Sequence, residues 1–202
     1  MPRDDVDDFW DVIERVRAGA DHAEFTDALT LELARLPVPR IVRFHLTAIR
    51  LANRALTWEM WAAADIVYAR HEYCGEYSFV GFRLWLFRLG RDTFEDALAD
   101  PDSLGEVPEL VALAARPSWT DAEYPDTQEL CGVAETAYEL VLARLAPAVA
   151  AQLTPPAEFA ERPDREPRTG RPLPHDEALK RERFPRLTGL FRRQAHDADC
   201  DT

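Results

Sequence analysis

Two apolar stretches, residues 57–68 and 78–89, limit most strongly what this chain can fold into. The first carries two tryptophans and a run of alanines, and the second carries apolar side chains at most of its positions. Drawn as helices, both leave almost no polar side, and a helix that is apolar all round belongs at the centre of a bundle. The sequence therefore predicts a core built around these two helices, the fourth and fifth along the chain.

The remaining helical patterns predict shorter amphipathic elements around this pair. Apolar residues at helical spacing, with prolines and polar caps at the ends, mark residues 7–18, 22–36, 40–55, 92–99, 108–115 and 127–152. The last of these is expected to be the longest helix, with a kink at Pro147. Strand-like alternation is absent from the sequence, so we predict an all-α, single-domain bundle of about seven or eight helices.

The C-terminal quarter of the chain differs from this body in composition. Residues 1–153 are predicted to form the helical domain, whereas residues 154–175 hold six prolines among Arg and Glu and predict a Pro-rich linker. Apolar residues return at Phe184, Leu187 and Phe191, so residues 176–202 are expected to form a C-terminal segment that docks partly on the body. The fold thus carries a Pro/Arg-rich extension.

The charge distribution restricts the classes of partner. The chain has 37 acidic and 24 basic residues, and residues 1–153 alone hold 27 Asp and Glu against 14 Arg. Such a body repels nucleic-acid phosphates and anionic membranes. Residues 162–193 carry ten basic and five acidic residues, a modest excess that makes nucleic-acid binding by this stretch alone the weakest functional hypothesis.

The chain also lacks the signals of a secreted or membrane protein. Its N-terminus is acidic and has no apolar leader-like region, and no run of about 18 uncharged apolar residues is present. Cys74, Cys131 and Cys200 are widely separated and form no Cys-x-x-Cys pair, which favours a reducing compartment. The expected location is the cytoplasm.

Several short runs, in this order along the chain, resemble a bacterial family known as domain of unknown function 4240. They are Phe9-Trp10, Trp58–Ala64, Phe82–Leu86 with Gly90-Arg91, and Asp100–Leu104. The resemblance covers about residues 7–140 and implies a small helical domain of unassigned activity. The family pattern has Cys-Ser-Asp-Asp between the fourth and fifth helices, where this chain has Cys74-Gly75-Glu76-Tyr77. An acidic site built by those aspartates is therefore not carried over.

The most informative single residue is Arg83, which interrupts the apolar fifth helix. A buried guanidinium is so costly that it must reach a carboxylate, an array of carbonyls, or solvent in a cleft. Asp65 raises the same question in the fourth helix. We expect Arg83 to pair with Asp65, Glu72 or Glu76 in a structural ion pair, with an anion-binding or substrate site as the weaker interpretation.

Nucleophile and metal motifs are weak in this sequence. Cys74 lies near His71 and suggests an activated thiol, although a buried inert thiol is the more common case. His71-Glu72 begins a His-Glu-x-x-His pattern, but the second histidine position is Gly75, so no metal site is predicted. No phosphate-binding or nucleophile-elbow motif is present, and no cofactor is predicted.

Two functional hypotheses remain from different classes. The first is a non-catalytic protein-interaction or regulatory domain, whose partner the sequence does not identify and whose tail acts as a tether or recognition segment. The second is an enzyme with an anion-binding cleft at the junction of the fourth and fifth helices, where Arg83 clamps the substrate and Cys74, Glu76 or Tyr77 supplies the chemistry. An open pocket at Arg83 would favour the enzyme.

Overall fold

Helices account for most of the chain in the computed structural model, which describes residues 3–19, 24–69, 74–120, 123–172 and 176–191. The α-helices are α1 (Arg3–Gly19), α2 (Phe25–Leu33), α3 (Val38–Arg54), α4 (Trp58–Tyr68), α5 (Glu76–Trp85), α6 (Arg91–Ala99), α7 (Pro108–Ala114), α8 (Val133–Leu142), α9 (Pro147–Ala150), α10 (Glu177–Arg183) and α11 (Pro185–Leu190). Short 3₁₀ helices cover Leu86–Leu89, Pro101–Glu106, Gln128–Cys131 and Ala157–Ala160. The described residues include no β-strand, which confirms the all-α prediction.

Helix ends follow local chemistry at most positions. Pro39 lies in the first turn of α3, where its missing N–H costs nothing, and Thr57 caps α4 by accepting a hydrogen bond of 3.0 Å from the Met60 amide. The fifth helix, α5, begins at Glu76, two residues before the predicted apolar stretch 78–89, and Gly75 is its N-cap. The predicted start of the second helix, near His22, lies outside the described residues.

The predicted long helix over residues 127–152 is wrong. In its place the chain forms the 3₁₀ helix Gln128–Cys131, α8 and the single turn α9. Helices α1 and α3, with 17 residues each, are longer than any of these three. Pro147 explains the second break, since it lacks an N–H and its ring clashes with the carbonyl four residues earlier in a continuous helix. The chain therefore leaves α8 at Leu142 and uses Pro147 in the first turn of α9.

The core forms around α4 and α5, as the apolar stretches predict. Trp61, Phe82 and Trp85 are 8%, 0% and 2% exposed, which confirms that these rings are nearly inaccessible. Phe82 stacks on Trp85 with ring centroids 5.8 Å apart, and Trp61 meets Phe79 edge-on at 4.9 Å. Aromatic pairs in these geometries contribute beyond their buried area, so the Trp61–Phe79 pair joins α4 to α5, whereas the Phe82–Trp85 pair lies within α5.

The C-terminal residues pack against this bundle. Phe159 is buried against His45 of α3 and Tyr138 of α8, although the composition of residues 154–172 predicts a linker. Further along, α11 lies on the 3₁₀ helix Pro101–Glu106, where Gly105 allows the approach. A Cβ at Gly105 would lie 2.6–2.9 Å from atoms of Arg186 and Leu187. The division into domain, linker and docked segment stays a prediction, but residues 154–172 make packing contacts that a free linker lacks.

Among the described residues, none of the helices is both long and apolar enough to cross a membrane.

We predict that replacing Trp85 with Ala lowers the free energy of unfolding by about 3 to 5 kcal/mol, because a large buried ring leaves a cavity that the surrounding core cannot fill. Urea denaturation followed by circular dichroism measures this loss. The matched control is Leu31→Ala on α2, whose side chain is exposed and should cost less than about 1 kcal/mol. Equal losses for the two variants would contradict the central position of α5.

Candidate functional site

Several charged side chains of the body bond to the C-terminal segment, which we define as residues 154–172 and 176–191, and four of them do so in buried or partly buried places. We refer to the four as the body charges. They are Asp65 on α4, Glu76 and Arg83 on α5, and Asp102 in the 3₁₀ helix Pro101–Glu106. Three of them are residues that the sequence singled out.

Arg83 is fully buried, with 0% exposure, and is held by backbone carbonyls. It donates hydrogen bonds of 3.0 Å to the Ala52 carbonyl, in the last turn of α3, and of 2.5 Å to the Asp164 carbonyl in the C-terminal segment. Carbonyls at a helix C-terminus lack full intrahelical pairing and carry the negative end of the helix dipole, which suits a guanidinium. Burial nevertheless lowers the pKa of Arg83 to about 10, with the Asp164 carboxylate opposing the shift.

The expected ion pair of Arg83 with Asp65 or Glu76 does not form. Asp65 accepts instead from Lys180 at 2.7 Å, and Glu76 accepts from Arg168 at 2.5 Å. The third candidate, Glu72, lies outside the described residues. Two backbone carbonyls thus take the place of the predicted carboxylate, because the last turn of α3 and the backbone of the segment lie within hydrogen-bond distance of the guanidinium.

The other predicted site residues are not brought together into a reactive group. Cys74 is fully buried, and burial together with the nearby Asp65 carboxylate raises the pKa of its thiol to about 12. At neutral pH that thiol is protonated, which favours the inert-thiol interpretation. Tyr77 is 62% exposed, and the Arg165 guanidinium of the C-terminal segment lies 4.3 Å from its ring centroid.

An aromatic pocket near the start of α4 and α5 holds Arg168 of the C-terminal segment. The Arg168 guanidinium carbon lies 3.7 Å from the Trp61 ring centroid, 4.8 Å from that of Trp58 and 5.8 Å from that of Phe79. Glu76 supplies the carboxylate, and the Arg168 side chain is only 4% exposed. This side chain is therefore enclosed by rings and the Glu76 carboxylate, while the exposed Glu166 carboxylate of the segment lies 3.6 Å away. The arrangement suits a weakly hydrated planar cation.

The residue after Arg168 is fixed through its backbone. The Thr169 amide donates a 2.9 Å hydrogen bond to the Leu56 carbonyl, and the Trp58 amide donates a 3.0 Å bond to the Thr169 carbonyl. The Trp58 N–H belongs to the first turn of α4 and has no partner within that helix. Thr169 and Thr57 thereby form an isolated parallel β-bridge.

Two more carboxylates of the body bind the helical end of the segment. Asp65 and Lys180 form a pair whose side chains are 14% and 10% exposed. Asp102, itself buried, accepts hydrogen bonds from the amides of Arg186 and Leu187 at the start of α11. A carboxylate at that place satisfies amides that have no partner within the helix. Among the described residues, no group of three His, Cys, Asp or Glu side chains is placed to hold a metal ion.

The sequence does not predict which residues of the C-terminal segment bond to the body charges. Lys180 is the single lysine beside 23 arginines, which is the one compositional signal that sets it apart. Asp102 belongs to the Asp-Pro-Asp run that carries the family resemblance, yet the sequence does not reveal its buried environment. Arg168 looks like any arginine in a Pro-rich stretch, so no sequence signal identifies its pocket.

A comparison with protein families matches residues 5–140 to the family described as protein of unknown function (DUF4240). The chain belongs to the DUF4240 family. No curated protein and no solved structure matches it. The DUF4240 region contains all four body charges, whereas each of their partners in the C-terminal segment lies beyond residue 140. The segment that covers these charges is thus outside the matched family region.

We predict that Arg83→Met lowers the free energy of unfolding by about 2 kcal/mol, measured by urea denaturation at pH 7. The two charge-assisted hydrogen bonds are lost, but the cost of burying the guanidinium is removed and no carboxylate is left unpaired. The control is Arg43→Met, on the exposed side of α3, which should stay within about 0.5 kcal/mol. A loss above about 4 kcal/mol would indicate an orphaned carboxylate, and a loss like that of the control would indicate a solvated Arg83.

Proposed function

We propose that this DUF4240 protein is a non-catalytic protein-interaction domain whose body charges and aromatic pocket bind a basic segment. In the free chain its own C-terminal segment occupies that surface. The observation that carries the proposal is the burial of the Arg168 side chain between Trp61 and Glu76. This burial supports a recognition surface, because Trp61 and Glu76 belong to the matched family region and the Arg168 guanidinium that they enclose does not.

Charge complementarity supports the same function. Residues 1–153 carry a net charge of −13, since 27 acidic residues face 14 arginines, and residues 162–193 carry ten basic and five acidic residues. Basic groups of the segment meet acidic groups of the body at Lys180 with Asp65, at Arg168 with Glu76 and at Arg183 with Glu59. Such complementarity favours association with basic partners and fixes their register.

We propose that the segment can leave the body while the body stays folded. The exposed ion pair of Arg183 contributes little, so the helical end is held by the buried side chains of Phe184, Leu187 and Phe191, each worth about 1.5 to 3 kcal/mol, and by the bonds of Asp65 and Asp102. Residues 143–153, which connect α8 to the segment, are almost entirely exposed. Release of the segment therefore breaks few contacts made by this connecting stretch. A partner whose side chains resemble those of the segment can compete for the surface.

The enzyme hypothesis lacks a supporting observation. It places Arg83 in an open cleft, but this guanidinium is inaccessible and engaged with the Ala52 and Asp164 carbonyls. Cys74, the candidate nucleophile, has a thiol whose pKa is raised to about 12. The interaction hypothesis therefore has the stronger physical support.

A bacterial cytoplasm is the setting we propose for this interaction. The thiols of Cys74 and Cys131 are both free, which suits a reducing compartment. A basic protein segment is the proposed partner, since an acidic body repels nucleic-acid phosphates.

The test uses the full chain with Lys180→Glu, which places a second carboxylate beside Asp65 and weakens docking of α10. A labelled synthetic peptide of residues 157–191 is titrated against this variant and against the wild type by fluorescence anisotropy. We expect the variant to bind the peptide about tenfold more tightly, because its own segment competes less well for the surface.

The matched control is Arg181→Glu, the same charge reversal at the adjacent, exposed residue of α10, which should bind the peptide as the wild type does. Absence of saturable binding to the folded Lys180→Glu chain would contradict the proposed function. Global unfolding of that chain would show that the segment is an integral part of the fold.

A further inference from the structure

We propose that Trp58, Trp61, Phe79 and Glu76 form a guanidinium-binding pocket that selects an arginine side chain within an extended peptide. This inference rests on the proposed function and names the chemistry that the surface recognises. In the free chain Arg168 fills the pocket, and in complexes the ligand is an arginine of the partner.

The ring geometry favours a planar cation. The Arg168 guanidinium carbon lies 3.7 Å from the centroid of Trp61 and 4.8 Å from that of Trp58, the ring type that attracts cations most strongly. The side chain is almost completely removed from water. An ammonium group is a compact and strongly hydrated charge, so it loses more hydration energy on entering such a pocket and cannot stack on the rings. The pocket is therefore expected to reject lysine.

The backbone contacts define the ligand as an extended peptide. Thr169 uses both its amide and its carbonyl, to Leu56 and Trp58 respectively, as a residue does when it adds to a strand edge. Proline has no N–H to donate, so the residue after the arginine must be another type. The recognised element is thus an arginine followed by a non-proline residue in extended conformation.

Arg168 leaves hydrogen-bonding groups of the pocket unsatisfied, and a competing ligand can satisfy them. The Nε atom of Arg168 and the Oε2 atom of Glu76 are both buried and have no hydrogen-bond partner in the described part of the chain. The Arg168 guanidinium and the Glu76 carboxylate share one hydrogen bond, from Nη2 to Oε1. An arginine and a carboxylate can form two parallel hydrogen bonds. A peptide free of the constraints of this chain can make the second bond and so displace Arg168.

The first experiment measures selectivity in trans. The receptor is the full chain carrying both Arg168→Ala and Lys180→Glu, and the probes are labelled 157–191 peptides with Arg, Lys or Ala at position 168. We expect the Lys and Ala peptides to bind at least about tenfold more weakly than the Arg peptide, because neither stacks on the tryptophans while pairing with Glu76. A peptide with Arg171→Lys, changed at an exposed position, is the control and should bind as the Arg peptide does.

The second experiment tests the pocket without any peptide. In the full chain with Arg168→Ala, ethylguanidinium at ten times its Kd should raise Tm by about 3 °C or more, whereas ethylammonium should leave it unchanged. Wild-type protein, whose pocket is filled, should respond to neither compound. The full chain with Arg168→Lys keeps the charge and should melt about 5 °C below wild type. That comparison decides the selectivity even when the Ala variant does not fold.

The outcomes separate this inference from the proposed function. Binding of the Arg and Lys peptides within twofold of each other, or a Lys variant as stable as wild type, overturns arginine selectivity while the interaction function stands. If no peptide binds to a folded receptor, the proposed function fails and the peptide ligand fails with it. Equal effects of ethylguanidinium and ethylammonium on the Ala variant also overturn the guanidinium pocket.

Discussion

Arg83 imposes a constraint that several parts of the molecule satisfy together. Its guanidinium lies in the apolar interior on α5, and a charge in that position is stable only with directed acceptors. The end of α3 supplies one carbonyl and the C-terminal segment supplies the other, from residues 52 and 164. Asn53 holds the same part of the segment, because it donates to the Asp164 carboxylate and accepts from the Asp164 amide. The segment therefore completes the polar contacts of the core.

The same segment supplies partners for the other body charges, which unites the candidate site. Glu76 meets Arg168, Asp65 meets Lys180, and Asp102 meets the first amides of α11. These contacts place the C-terminal segment over the acidic surface of the matched family region. The proposed function interprets this surface, which added chain completes, as a binding surface. In the proposed function, the aromatic pocket gives that surface its specificity.

The sequence predicts the helical body well, because burial of α4 and α5 follows from side chains that leave no polar side. It does not predict the partners of Arg83, since backbone carbonyls have no residue-type signature. The pocket of Arg168 is equally hidden, because it joins Trp58 and Trp61 to a residue about 110 positions later in a stretch whose prolines indicate a linker. Pro147 fits the first turn of a helix, but the apolar spacing on both sides of it predicts one kinked helix instead of two separate helices.

The proposed function requires that the C-terminal segment can leave the body while the body stays folded, and native-state hydrogen exchange of the wild-type chain measures this release. The informative amides are those of Thr169, Lys180 and Leu187, which are hydrogen-bonded in the docked state. We expect these amides to exchange at least about tenfold faster than the buried amides of α4 and α5, because local release costs less free energy than global unfolding. Exchange of both groups at the same rate would contradict the proposed function, since the segment would then open only when the whole fold does.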